Sequence, residues 1–106
     1  MIYDVRIYDL KMGSVPEYMK AVREIGLPVR NDHNVKLAGW YYTDIGPQNQ
    51  VIHIWAYDSL AHMEKAKVEV QADPRWHEQY APTVMPMVAS SRNQIMIAAD
   101  FSPRPE

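Results

Sequence analysis

The residues best suited to chemistry fall in three short runs. Gln50-Val51-Ile52-His53-Ile54-Trp55-Ala56-Tyr57 places an imidazole, an indole and a phenol at every second position. Trp40 and Tyr42 repeat that spacing, as do Arg6 and Tyr8 near the N-terminus. In an extended chain, side chains two residues apart share a face, so each run gathers its polar aromatics on one side. A pocket of this make-up suits a small apolar or aromatic molecule. Arg6 would hold an anionic group, and His53, ordinarily titrating near neutral pH, would donate or accept a proton. The same residue types also suit the packed centre of a protein interface, which is enriched in aromatics and Arg. Both readings stand at this point.

Other chemistries lack their residues. There is no cysteine, which removes disulfides, thiolate metal sites and thiol nucleophiles together. The four histidines, His33, His53, His62 and His77, never recur at metal-ligand spacing, so no metal is expected. Gly13, Gly26, Gly39 and Gly46 are too dispersed for a phosphate-cradling loop, and no serine sits in a nucleophile elbow. No cofactor is expected. Eleven Lys and Arg against thirteen Asp and Glu give a net charge of -2, without the basic footprint of a nucleic-acid binder. The opening run Ile2 to Leu10 has neither a basic leader nor a long apolar stretch, which leads us to expect a cytoplasmic protein without membrane insertion.

The elements that must position these residues follow from periodicity. Ile2 to Leu10 alternates as a first strand. Ser14 and Glu17 have capping-box spacing ahead of a helix carrying Val15, Tyr18, Met19, Val22 and Ile25. Gly26 and Pro28 are expected to interrupt that helix, leaving the stretch to Asn34 as a frayed turn or a short second helical piece. Lys36 to Ile45 and Gln50 to Asp58 read as strands joined by the turn Gly46 to Asn49. Ser59 or Asp58 caps a helix with Leu60, Met63, Ala66, Lys67 and Val70 on one stripe, ending near Asp73. Asp73-Pro74 opens a short helix through Trp76 and Tyr80 that Pro82 should stop, and Gln94 to Ala99 is a last strand that starts at or before Gln94. At 106 residues the chain supports one core, and the order β-α-β-β-α-β is the α+β, ferredoxin-like sandwich with both helices on one sheet face.

One face is therefore left open. A four-residue loop would pair Tyr42 with His53 and Trp40 with Trp55, separating two surfaces. Val5, Ile7, Tyr41, Ile52 and Ile54 are the expected bed for the helices. Arg6, Tyr8, Trp40, Tyr42, His53, Trp55 and Tyr57 are expected on the open face, where a second subunit or a ligand would cover them. On this reading the chain is a homodimer and Trp55→Ala weakens the dimer.

The stretch Tyr42-Thr43-Asp44-Ile45-Gly46-Pro47-Gln48-Asn49-Gln50-Val51-Ile52-His53-Ile54-Trp55-Ala56-Tyr57-Asp58-Ser59-Leu60 resembles the hallmark Y-T-x-I-G-x-x-N-Q-V-x-H-x-W-x-Y of the NIPSNAP family. The opening Tyr3 to Tyr8, the turn Ala72-Asp73-Pro74-Arg75-Trp76 and Phe101-Ser102-Pro103 extend the likeness over residues 1–106, as one NIPSNAP-like domain. The resemblance implies a dimeric α+β barrel, in which two sheets pack together with helices outside. Its animal members are associated with mitochondria and with vesicle or mitophagy signalling, and its bacterial single-domain members have no settled reaction. Other families of that barrel include cofactor-independent monooxygenases, so an enzyme is one reading by analogy of fold. A protein-interaction or scaffold module without catalysis is the other.

Overall fold

The computed structural model describes residues 1–103. Its elements are β1 (Ile2–Leu10), α1 (Val15–Ala21), α2 (Leu27–Asp32), β2 (Lys36–Tyr42), β3 (Gln50–Tyr57), α3 (Leu60–Ala72), α4 (Ala81–Val84) and β4 (Val88–Met96). The sheet order is β2-β3-β1-β4, and β1 runs antiparallel to both of its neighbours. This is the α+β, ferredoxin-like arrangement expected from the element order.

Two prolines fail to break the helices as expected. Val22–Gly26 forms a π-turn that joins α1 to α2, with the Leu27 N–H donating to the Val22 carbonyl. Arg75–Tyr80 does the same ahead of α4, with the Ala81 N–H donating to the Trp76 carbonyl. Pro28 and Pro82 each lie one residue beyond those donors. A widened turn accommodates a residue that offers no N–H and crowds the preceding turn, so the helical path survives. The two turns meet where Gly26 faces Tyr80. A β-carbon at residue 26 would lie 2.6 Å from the Tyr80 ring, which is itself buried. Gly26→Ala is therefore expected to cost about 1–3 kcal/mol through overpacking, read as a shift in urea midpoint at unchanged slope.

The caps divide. Ser59 has extended backbone and accepts the His62 N–H at 3.1 Å, whereas Ser14 already has helical backbone (φ -83°, ψ -12°) and makes no side-chain cap bond. The expected capping box is absent because the hydroxyl aims correctly only from a non-helical residue. Strand β2 ends at Tyr42 rather than Ile45, so the connection to β3 is 43–49 rather than 46–49. Strand β4 begins at Val88 and ends at Met96, short of the expected Ala99. Phe101 to Pro103 lie outside the sheet, as the prolines of the sequence Phe101 to Glu106 lead one to expect, while 104–106 lie outside the described residues.

The faces are the main correction. Trp40 stands opposite His53 rather than Trp55, and a bulge between Leu37 and Gly39 turns Leu37 opposite Trp55. Arg6 faces His53 from β1, with Asp4 beside Trp55 and Tyr8 beside Val51. These residues do form one face, as expected, but it is the covered one. Trp55, Tyr57 and Val35 pack under Val29, Met63, Ala66 and Val70, and Val51 packs under Tyr18, Ala21, Val22, Tyr80 and Val84. The open face carries Val5, Ile7, Ile52 and Ile54, half-buried, with exposed Tyr41 and Met96. Both faces are apolar enough to be covered. The handedness of the two crossovers decides between them, and alternation along a strand carries no sign of it. Burying the aromatics also removes more apolar area per side chain from water.

Candidate functional site

Between the sheet and the helices the covered face leaves a cleft of about 130 Å³. Its floor comes from alternate residues of the two central strands, Asp4, Arg6 and Tyr8 of β1 with Trp55 and Tyr57 of β3. Helix α2 adds Arg30, helix α3 adds Ala66, Lys67, Val70 and Gln71, and the second π-turn adds Trp76. The guanidinium of Arg30 lies between two indoles, 4.0 Å from the Trp55 ring centroid and 4.7 Å from that of Trp76. Desolvated cation–π contacts of this kind stabilise a charge that would otherwise be costly to bury.

The turn that carries Trp76 is fixed by an ion-pair network. Asp73 accepts from the Arg75 backbone N–H at 3.0 Å and from the Arg75 side chain at 2.7 and 3.1 Å. It also bonds His33 Nε2 at 2.9 Å, and Arg75 reaches on to Asp32 at 2.9 Å. Bonds from Arg75 and then His33 hold the Asp73 carboxyl below the usual carboxylate range. The network ties the end of α2 to the start of the second π-turn and so sets Trp76 against Arg30.

On the opposite wall Asp4, 1% exposed, is satisfied by Arg6 Nη1 at 2.9 Å and by Asn93 Nδ2 at 2.9 Å. Arg6 Nε donates to the Tyr8 hydroxyl at 2.8 Å. Burial raises the Tyr57 hydroxyl above its ordinary range, against the opposing effect of Arg30, so it stays a neutral donor at physiological pH.

Four of the expected site residues, Arg6, Tyr8, Trp55 and Tyr57, thus meet around one cleft. His53 does not line it. The His53 ring is stacked on Trp40 and edge-on to Tyr8 and Trp55, and its Nδ1 accepts the Trp55 indole N–H at 2.7 Å. An indole can only donate, so Nδ1 is unprotonated and the neutral ring carries its proton on Nε2. Nε2 has no partner among the described residues. Burial first, then Arg30 and Arg6, bring the His53 pKa down to about 3. Burial and the bond from Trp55 both favour the neutral ring of His53. Trp40 belongs to a separate hollow with Met19, Val22 and Leu27, and Tyr42 is 58% exposed at the sheet margin. Neither reaches the cleft, and neither stands on an open face.

Sequence reasoning missed Arg30, Trp76, Lys67 and Asp4 as cleft residues. Arg30 fell in the stretch to Asn34, expected to be a frayed turn or a short second helical piece. The stripe Met63, Ala66, Lys67, Val70 did carry a signal, since a lysine inside an apolar stripe directs its stem towards whatever the stripe covers. Among the described residues no group of three His, Asp or Glu side chains could hold a metal, and no helix is long and apolar enough to cross a membrane.

The family model described as NIPSNAP matches residues 3–103 of the chain. A NIPSNAP family protein of unknown function from Agrobacterium tumefaciens superposes with a TM-score of 0.91 at 36% identity, covering 99% of this chain and 94% of its own. Human Protein NipSnap homolog 3A is 26% identical over 95 residues, which is 90% of this chain but 38% of that protein. A dimeric ferredoxin-like protein from an uncultured marine organism has a TM-score of 0.74 at 11% identity, over 96% of this chain and 91% of its own, a likeness of fold alone.

Proposed function

Because the chain belongs to the NIPSNAP family, we propose that it works as a homodimer in which each protomer holds a small apolar or aromatic ligand in the cleft between its sheet and its helices. The observation that carries the ligand half is the cleft itself, with Arg30 clamped between Trp55 and Trp76 beside the Arg6–Asp4 pair. Apolar walls with a few convergent polar groups are the usual make-up of a small-molecule site. Whether the bound molecule is transformed or only carried is a question for its identity. The dimer half follows from the open face. Val5, Ile7, Ile52 and Ile54 lie on the two central strands, and a shallow groove of about 490 Å³ is lined by Val5 and Ile54 of that set together with Tyr3, Tyr41 and Met96. A second copy of the same face would cover this aliphatic surface, with Gln94 and Arg92 at the rim.

Native mass spectrometry of the purified protein tests both halves. The expected result is a dimer that retains a small-molecule adduct. A clean dimer would favour an interaction or scaffold module, and a monomer at micromolar concentration would remove the dimer. Ile54→Glu, which places a charge at the middle of the open face, is expected to give a folded monomer by light scattering. An unchanged dimer mass would mean that the interface lies elsewhere.

A further inference from the structure

The charges around the cleft do not balance. Arg6, Arg30 and Lys67 line it with a single carboxylate, Asp4, and that carboxylate is already bonded to Arg6 and Asn93. Among the described residues no carboxylate lies within ion-pair distance of Arg30 or Lys67. The indole faces stabilise Arg30 but supply no counter-charge. Arg30 is half-buried and Lys67 exposed at the edge of the cleft, and two cations facing one cleft without a carboxylate of their own favour an anion that arrives from outside. The size and walls narrow the class. A cavity near 150 Å³ takes one benzene-sized ring, and this one measures about 130 Å³ between Trp55, Tyr57, Trp76, Val35 and Val70. A planar carboxylate matches the N–H groups of a guanidinium, and Arg30, which also hydrogen-bonds the Tyr80 side chain, has N–H groups to spare.

We infer that the ligand is a single-ring aromatic carboxylate, its ring against Trp55, Tyr57 and Trp76 and its carboxylate shared by Arg30 and Lys67. The inference rests on the cleft being a ligand site, and the two separate experimentally.

Isothermal titration of the full chain with benzoate and with benzamide, its uncharged near-isostere, supplies the test. Benzoate is expected to bind at least about tenfold tighter, the preference that one charge-assisted hydrogen bond provides. Lys67→Gln, on an exposed stem of α3 where folding is not at stake, should reduce that preference severalfold with an unchanged circular dichroism spectrum. Arg30→Gln should abolish it. Equal binding of benzoate and benzamide would overturn the inference while leaving the cleft a ligand site. A benzoate preference that survives both substitutions would also overturn it, by placing the carboxylate elsewhere. Failure of both compounds to bind at millimolar concentration would count against the inference and the ligand reading together.

Discussion

Trp55→Ala is expected to destabilise the protomer by about 3–5 kcal/mol, a large share of the about 5–15 kcal/mol typical of a small domain. Trp55 is 1% exposed at the centre of the covered face, so its removal opens a large void under Val29, Ala66 and Val70. Two further losses add to the void. His53 Nδ1 loses its donor at 2.7 Å, and Arg30 loses the nearer of its two indoles. Urea unfolding followed by circular dichroism measures the effect. The sequence-based expectation was different, a weakened dimer of intact protomers, because Trp55 was assigned to the open face. A Trp55→Ala protein with wild-type unfolding midpoint but a weaker dimer would restore that assignment and reverse the faces described above.

The second large effect is on acid stability. In the unfolded chain His53 takes up a proton near pH 6.5, whereas in the folded protein it does so only near pH 3. Above pH 6.5 both states are neutral and the group contributes nothing to the pH dependence. Between pH 6.5 and 3 the unfolded state binds the extra proton, so stability falls as pH falls, by at most about 1.4 kcal/mol per pH unit for one proton. Asp73, whose pKa is lowered in the fold, adds its own loss only as pH drops below the unfolded carboxylate range, near 4. The interval from pH 7 to pH 5 therefore isolates histidine from carboxylate effects. His53→Gln should be less stable than wild type at pH 7 but show a flatter decline towards pH 5, because Gln keeps an acceptor for the Trp55 N–H and does not titrate. Parallel declines for both proteins would show that His53 is protonated in the fold.

Much of this architecture was legible. Strand β1, strand β3 and helix α3 emerge from alternation and from the Ser59 cap, and the element order leads directly to the ferredoxin-like sheet. The aromatic residues were also grouped correctly on one face. What alternation does not contain is which of two apolar faces meets the helices, since that depends on crossover handedness and not on side-chain type. The π-turns were invisible for a related reason. Pro28 and Pro82 read locally as breakers, and only the packing of Gly26 on Tyr80 across two helices makes the wider turn worthwhile. With the stretch to Asn34 left open between a frayed turn and a short helical piece, Arg30 had no assigned face, and without Arg30 neither the indole clamp nor the charge imbalance of the cleft can be seen. His53 attracted attention as a central strand histidine, yet centrality is what desolvates it.

On the reading proposed above, a small ligand binds inside each protomer, between the sheet and the helices, and not in the space that two open faces enclose. Two-dimensional NMR of the protein titrated with benzoate measures this directly, using the indole N–H signals on one side and the isoleucine methyls on the other. Saturable shifts are expected at Trp76 and Trp55, which line the cleft, and none at Ile7, Ile52 and Ile54 on the open face. Shifts concentrated on those isoleucine methyls, with both indoles unmoved, would contradict that reading.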